Sequence, residues 1–302
     1  MSYQYHHPVL LQDCIDGLNI QKNGVYADVT FGGGGHSREI LSQLGPQGKL
    51  FVFDQDSDAR KNVWQDSRLV FIPQNFRNIK NYLRLHGVKG VDGILADLGV
   101  SSHQFDVGTR GFSIRFEGFL DMRMNQSGSV TAEMILNNYD EKKISEIFRS
   151  FGEIKEAARL ARVIANHRSE KKIQTTEELK SIVKMVMPKN EKEHQYQARV
   201  FQALRIAVND ELGALNEFLN QSLEVLNSGG RLVVISYHSL EDRQVKNLMK
   251  TGNTEGIIQK DFFGNIYRPF KQLTKKPIEP SETEIENNSR ARSARLRIAE
   301  KI

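Results

Sequence analysis

Cysteine is almost missing from this chain: Cys14 is the only one in 302 residues. That excludes an intrachain disulfide and any cysteine-cluster zinc site, and it suits a reducing compartment. Long apolar runs are missing too. None approaches the roughly 20 residues of a membrane helix, and the opening MSYQYHHPVLLQDC has no basic flank leading into an apolar block, so no signal peptide is expected. Acids are absent from two stretches. Tyr267–Pro277 carries Arg268, Lys271, Lys275 and Lys276, and Arg290–Arg297 carries Arg290, Arg292, Arg295 and Arg297, with no Asp or Glu in either. Such patches suit phosphate backbones, although a solvated surface has the same letters. With 39% apolar and 26% charged residues, the chain reads as a soluble, cytoplasmic, globular protein rather than a disordered one.

What is present alternates in texture. Gly24–Val29, Lys49–Asp54, Leu69–Ile72 and Val91–Asp97 read as short apolar strands, with helices at Ser37–Leu44, Asp58–Trp64 and Asn78–Leu85. Short strands separated by helices predict a parallel α/β sheet. After about Gln104 the pattern becomes rich in Gly, Arg and Phe, and then purely helical: Ala132–Asn137, Glu141–Phe148, Lys155–Lys171, Thr176–Met187 and Tyr196–Val208. Thr175 or Thr176 before Glu178 reads as a helix start and Pro188 as a stop. The α/β texture returns with a helix at Glu211–Leu226, a strand at Arg231–Ser236 and a helix at Asp242–Lys250, then candidate strands near Phe262–Phe270 and Arg295–Ala299. The expected layout is a Rossmann-like domain of residues 1–105 and 209–302 interrupted by an inserted helical domain of residues 106–208.

The sequence Asp28-Val29-Thr30-Phe31-Gly32-Gly33-Gly34-Gly35-His36-Ser37 ends the first strand with four glycines. Each costs backbone entropy, so a sharp bend or a close approach is expected there. Ligands of open α/β sheets sit beyond the carboxyl ends of the strands. Asp54 ends the second strand, where a carboxylate can hold both ribose hydroxyls of an adenosine. A dinucleotide fingerprint G-x-G-x-x-G fails in either register, because Ser37 or Arg38 stands at the last position. Asp28 before the glycines and Asp97 at the end of the fourth strand suit a cationic ligand, which favours S-adenosyl-L-methionine over a dinucleotide.

Several blocks resemble a known family: His7-Pro8-Val9-Leu10-Leu11, Thr30–Ser37, Asp97-Leu98-Gly99-Val100-Ser101-Ser102, Arg110–Ser113, Leu120–Met124, Ala203–Ile206, Val208–Leu212 and Ser236–Arg243. In this order they resemble the bacterial 16S rRNA (cytosine-N4)-methyltransferases, the RsmH/MraW family. The resemblance implies a class I S-adenosylmethionine-dependent methyltransferase fold with an inserted helical domain. It also implies methylation of N4 on a cytidine in the decoding region of 16S rRNA, with the rRNA of the small ribosomal subunit as the expected partner. By family pattern Gly34, Gly35, His36, Asp54, Phe76, Asp97 and Gln104 hold the cofactor. This chain departs from the family in having Phe119 where proline is usual before Leu120, which bears on loop shape near the substrate.

For the chemical step the candidates are Asp97, Ser101 and His238. Asp97 could accept from the cytosine amine or orient the cofactor. Ser101 could accept a hydrogen bond or, with Ser102, cap a helix. His238 could relay a proton, or sit as a satisfied histidine at a helix start. Tyr237 could stack on a flipped base. His6-His7 read as structural, with Pro8 setting the entry to a helix. For RNA the candidates are Arg110, Arg115, Arg123 and the C-terminal arginines. No His/acid spacing predicts a metal site. A silent RNA-binding module, or a methyltransferase for another nucleic acid or a protein, fits the same letters.

Overall fold

The computed structural model describes residues 8–302, apart from the side chains of Ser102 and His103; the pair His6-His7 lies outside the described residues. Strands and helices alternate from the start: α1 (Leu11–Leu18), β1 (Val25–Asp28), α2 (Gly35–Gln43), β2 (Lys49–Phe53), β3 (Leu69–Ile72), α3 (Ile79–Leu85) and β4 (Val91–Asp97). Helices alone follow: α4 (Ser102–Asp106), α5 (Ala132–Asn138), α6 (Glu141–Gly152), α7 (Ala157–Glu170), α8 (Thr176–Val186) and α9 (Glu193–Asn209). The mixed pattern then resumes with α10 (Glu211–Val225), β5 (Leu226–Ser236), α11 (Ser239–Thr251), β6 (Phe270–Gln272), α12 (Glu282–Asn287) and β7 (Arg295–Lys301).

The sheet order is β3-β2-β1-β4-β5-β7-β6. Neighbours from β3 to β5 pair in parallel, and β7 runs antiparallel to both β5 and β6. This is the strand order of the class I methyltransferase fold. The direction of winding reverses between β1 and β4, which makes the carboxyl ends of these strands the place where a ligand fits. Strand alternation sorts the core. Leu50 and Val52 of β2 pack with α1 and α2 residues such as Ile15, Leu18 and Ile40, whereas Phe51 and Phe53 pack with α3, α10 and α11 through Leu83, Phe218 and Leu248. With both faces covered, the strand reads as the unbroken apolar run LFVF.

The chain forms two units, one of residues up to Gly99 with Leu212–Ile302, the other of Val100–Glu211. The first break comes at Gly99 rather than after Phe105, because Val100 and Phe105 pack against the helical core of the second unit. That core is built from α5 to α9, with Ile135, Phe148, Leu160, Ile182, Tyr196 and Leu204 buried together. Capping side chains define its helix starts. Thr131, Asp140 and Thr175 accept from the backbone N–H three residues on, and Thr175 and Glu178 form a reciprocal capping box.

Two expected elements take another form. The helix expected at Asp58–Trp64 is a 3-10 turn over Ser57–Asn62, started by the Asp56 side chain accepting from Asp58 N. The strand expected near Phe262–Phe270 begins only at Phe270. Before it the backbone turns at Asp261 and Gly264, with Gly264 N donating to Asp261 O at 3.1 Å.

Candidate active site

The glycine loop is stitched to both neighbouring strands. Val29 N donates to Leu95 O at 2.9 Å, and Phe31 N to Phe53 O at 3.0 Å. Gly32 and Gly34 then adopt left-handed φ values of 51° and 75°, which residues with a Cβ rarely take. Gly35 opens α2 against Pro8, where a Cβ would lie 2.3 Å from Pro8 Cγ. Gly33 is different. It is exposed, and a Cβ there would meet nothing within 4 Å. Three of the glycines are explained by the turn and its packing, while Gly33 borders open ground that a ligand can enter.

Carboxylates stand at the strand ends to which this loop is tied. Asp54, just past β2, accepts from Gly32 N and Asp56 N, both at 2.8 Å, which ties the second strand end to the glycine loop. Burial raises Asp54 to about 6, against the pull of those two donors. Asp97, the last residue of β4, accepts from the Tyr237 hydroxyl at 2.8 Å, and its Oδ2 lies 4.0 Å from His36 Nδ1. Burial raises it to about 6 as well, opposed by His36 and the Tyr237 hydrogen bond. The other nitrogen of His36 is 3.1 Å from Val9 O, so the ring is held from both sides. Asp28 does not face the open ground. It is buried, accepting from Ser37 Oγ at 2.5 Å and from Thr30 N at 3.1 Å. The expectation that it meets a cationic ligand is corrected to a role inside the loop, where it fastens the start of α2 to β1. Phe76 is half-buried after β3, edge-on to Phe218 with ring centres 5.3 Å apart.

Beyond β5 the same edge carries Tyr237 and His238. The ring of Tyr237 would lie 3.4 Å from a Cβ at Gly99, and its hydroxyl is committed to Asp97. It therefore holds a carboxylate in place rather than standing free to stack. His238 is the N-cap of α11: Nδ1 accepts from Glu241 N at 3.4 Å, and Nε2 is 3.1 Å from Glu241 Oε1. Glu241 in turn accepts at 2.9 Å from the N–H of Tyr237, the residue before the cap. In the second unit Ser101 and Gln104 form a similar pair. Ser101 N donates to Gln104 Oε1 at 3.1 Å, and Gln104 N donates to Ser101 Oγ at 3.3 Å. Thus Gly34, Gly35, His36, Asp54, Asp97 and His238 lie along the strand ends of the first unit, and Ser101 and Gln104 meet each other in the second.

Sequence reasoning passed over Thr30 and Glu241. Thr30 Oγ1 accepts from Asp97 N at 2.6 Å and locks β4 to the loop. Its position two residues past the strand-end Asp28 was the available signal. Glu241 could have been found as the third residue after a helix cap, had histidine been admitted as the cap.

A strand order of this kind with a glycine loop flanked by carboxylates narrows the field, and sequence comparison decides it. The sequence pattern of the MraW methylase family matches residues 3–302. The chain belongs to the MraW methylase family. Among similar proteins, the ribosomal RNA small subunit methyltransferase H of Flavobacterium johnsoniae is 54% identical over 301 residues, covering 100% of this chain and 99% of the relative. The protein of the same name from Flavobacterium psychrophilum is 58% identical over 292 residues, covering 97% and 100%. That from Bacteroides thetaiotaomicron is 54% identical over 297 residues, covering 98% and 97%.

In this MraW methylase the arginines expected to meet RNA divide sharply. Arg110 is buried, and its guanidinium donates to the carbonyls of Arg123 at 2.8 Å and Met124 at 3.2 Å. Arg123 pairs with Asp121 through two bonds of 2.7 Å and donates to Gly128 O at 2.7 Å. Arg297 is buried against Asp242, with bonds of 2.6 and 3.0 Å. The burial of Arg110 and Arg297 corrects the expectation that they contact RNA, whereas Arg123, tied to Asp121, remains partly exposed. Arg115, Arg292 and Arg295 are exposed. No helix among the described residues is long and apolar enough to cross a membrane.

Proposed function

We propose that this methyltransferase transfers the methyl group of S-adenosyl-L-methionine to the N4 amine of a cytidine in the decoding region of 16S rRNA, acting in the cytoplasm. The observation that carries the reading is a glycine loop, bare at Gly33, tied to two strand-end carboxylates, to Asp54 through Gly32 N and to Asp97 through Thr30. The residues fit the cofactor. A Cβ at Gly33 would stand in open space beside the loop, and both carboxylates keep lone pairs beyond those already engaged. Asp54 suits the ribose hydroxyls, the half-buried Phe76 the adenine face, and Gly34, Gly35, His36 and Asp97 the methionine end, with Gln104 completing the set by the family pattern. Bound there, the cofactor supplies an electrophilic methyl group on a sulfonium.

The chain's own task is to aim and to accept. The lone pair of the cytosine amine is delocalised into the ring, so it must be held in line, with reacting atoms roughly 3 Å apart. Acceptors for the two amine protons let the nitrogen pyramidalise. The carbonyls of Leu98 to Val100 and the Ser101 hydroxyl are the acceptors assigned to this, with Asp97 as the alternative to its role at the cofactor. The ammonium formed is strongly acidic, so water can take its proton without a strong base. His238 acts through Glu241 and Tyr237 on the position of Asp97, and only a loss of rate separate from any loss of folding would promote it to a proton relay.

The test is methyl transfer from labelled cofactor to small ribosomal subunits lacking native modification, and to free 16S rRNA, followed by nucleoside mass spectrometry. N4-methylcytidine is the expected product. A different methylated nucleoside would reassign the acceptor atom, and cofactor binding without transfer to either substrate would leave only a binding module.

A further inference from the structure

The segment between α11 and β6 displays the barest large apolar side chains among the described residues, Phe262 at 98% and Phe263 at 86% exposure. They are not on a loose strand. Tyr267 N donates to Gln259 O at 2.9 Å, Asp261 N donates to Asn265 O at 3.0 Å, and Lys260 bridges to Ile266, which makes a hairpin. Its tip is Asp261-Phe262-Phe263-Gly264-Asn265, with Gly264 left-handed at φ 84°. The Asp261 carboxylate accepts from Phe263 N, Asn265 N and Asn265 Nδ2 at 2.9, 2.8 and 2.8 Å. Aspartate first and glycine in the left-handed place are what this kind of hairpin loop requires; the two central positions tolerate nearly any residue. Both nevertheless hold phenylalanine, with the rings edge to face at 5.7 Å. A fixed turn thus presents two phenyl rings to water, which is unfavourable unless something covers them.

Charge and size say what covers them. Lys260 on the hairpin and Arg268 and Lys271 after it are exposed, and residues 267–277 contain no acid. Asp261 is occupied within the turn, and its hydrogen bonds, chiefly from Asn265, hold its carboxyl below the usual range. Two phenyl rings offer about 300–500 Å², well short of the ~800 Å² that each partner of a stable protein interface contributes. Aromatic rings set among cations are the combination that binds single-stranded nucleic acid, because every base has a face to stack on.

We propose that the hairpin of residues 259–267 is an RNA contact, in which Phe262 and Phe263 stack on unpaired bases while Lys260, Arg268 and Lys271 meet phosphates. The identity of the RNA as rRNA rests on the function proposed above; the stacking contact itself does not. The test is the double variant F262A/F263A, whose changes fall on exposed side chains and leave Asp261, Gly264 and Asn265 to form the turn. Equilibrium binding of a single-stranded RNA oligonucleotide and the KM for small ribosomal subunits are measured with wild type and variant. Each lost stack is worth on the order of tenfold in affinity. The expected result is therefore at least a tenfold weaker oligonucleotide affinity and a matching rise in KM, with kcat and the cofactor Kd unchanged. Oligonucleotide affinity equal to wild type would overturn the contact. So would a wild-type dimer that the variant splits while RNA affinity stays the same, which would make the tip a self-association element. If wild type methylates no ribosomal RNA, the substrate reading fails, and the oligonucleotide measurement still decides the hairpin.

Discussion

At the scale of single residues, four adjacent glycines divide into different jobs. Gly35 meets Pro8 and Gly34 carries a left-handed φ, so alanine at either strains the loop. Gly33→Ala is expected to leave the thermal midpoint within error and to weaken cofactor affinity at least tenfold, whereas Gly35→Ala lowers the midpoint; calorimetry and cofactor titration of both variants would check this. If Gly33→Ala binds cofactor normally, the open ground beside it is not the site. The two carboxylates add a pH signature. Asp54 and Asp97 are raised from 3.8 to about 6 by burial. An acid raised on folding binds protons more tightly in the native chain than in the unfolded one, so its contribution to stability is fullest below 3.8 and is lost as pH rises through about 6. Ligand binding runs the other way, because the ionised forms accept from ribose and face a cation. Cofactor affinity is expected to be flat above pH 7 and to fall about tenfold per pH unit below 6 for each carboxylate that must be ionised. Titration calorimetry from pH 5 to 8 measures it, and Asp54→Asn should remove part of the slope.

At the scale of elements, the cap of α11 separates two roles for His238. Loss of an N-cap costs about 1 kcal/mol, and asparagine is a good substitute cap. His238→Ala is therefore expected to lose about that much stability in denaturant melts, and His238→Asn to recover it with kcat close to wild type. Recovered stability with kcat still depressed a hundredfold would instead mark a proton relay. The β7–α11 connection is held by the buried pair of Arg297 and Asp242. Arg297→Met removes both short hydrogen bonds to the buried Asp242 and leaves it only the longer contact to Arg295 at 3.8 Å; it is expected to cost about 3 kcal/mol, with no specific change in the salt dependence of RNA binding. Element existence was readable wherever periodicity was strong. β3 and β4 begin and end where the apolar runs do, and the Thr175–Glu178 signature marks a real capping box. The tail was not readable in the same way. Aromatic residues at Phe262 and Phe263 raise strand propensity, but Asp261 and Gly264 impose a turn, and only the hydrogen bonds across the hairpin show which preference wins.

At the scale of the whole molecule, the second unit closes its own core. Every residue of its buried cluster lies between Phe112 and Leu204. A chain of residues 100–211 is expected to unfold cooperatively on heating with a helical circular dichroism spectrum; a gradual loss without a transition would show that it depends on the first unit. Alternation of short strands and helices announced the parallel sheet of the first unit. Its order did not follow from the alternation. The antiparallel β7 between β5 and β6 comes from residues 295–301, far along the chain from the strands it joins.

What the sequence determines by itself is local: strand and helix periods, glycines where the backbone must bend, carboxylates at strand ends, and the order of blocks that carries the family. These depend on neighbours within a few positions, so the letters suffice. The arginines show the limit. Arg110, Arg115, Arg123 and Arg297 are one residue type, yet Arg110 donates to backbone carbonyls, Arg123 and Arg297 pair with acids, and Arg115 lies in solvent. Asp28 and Asp54 are likewise both strand-end acids, one buried against Ser37 and the other beside the bare Gly33. Which charge is neutralised inside the protein depends on what packs against it from distant parts of the chain. That choice belongs to the tertiary structure, because desolvating an unpaired charge is too unfavourable to be left to local sequence alone.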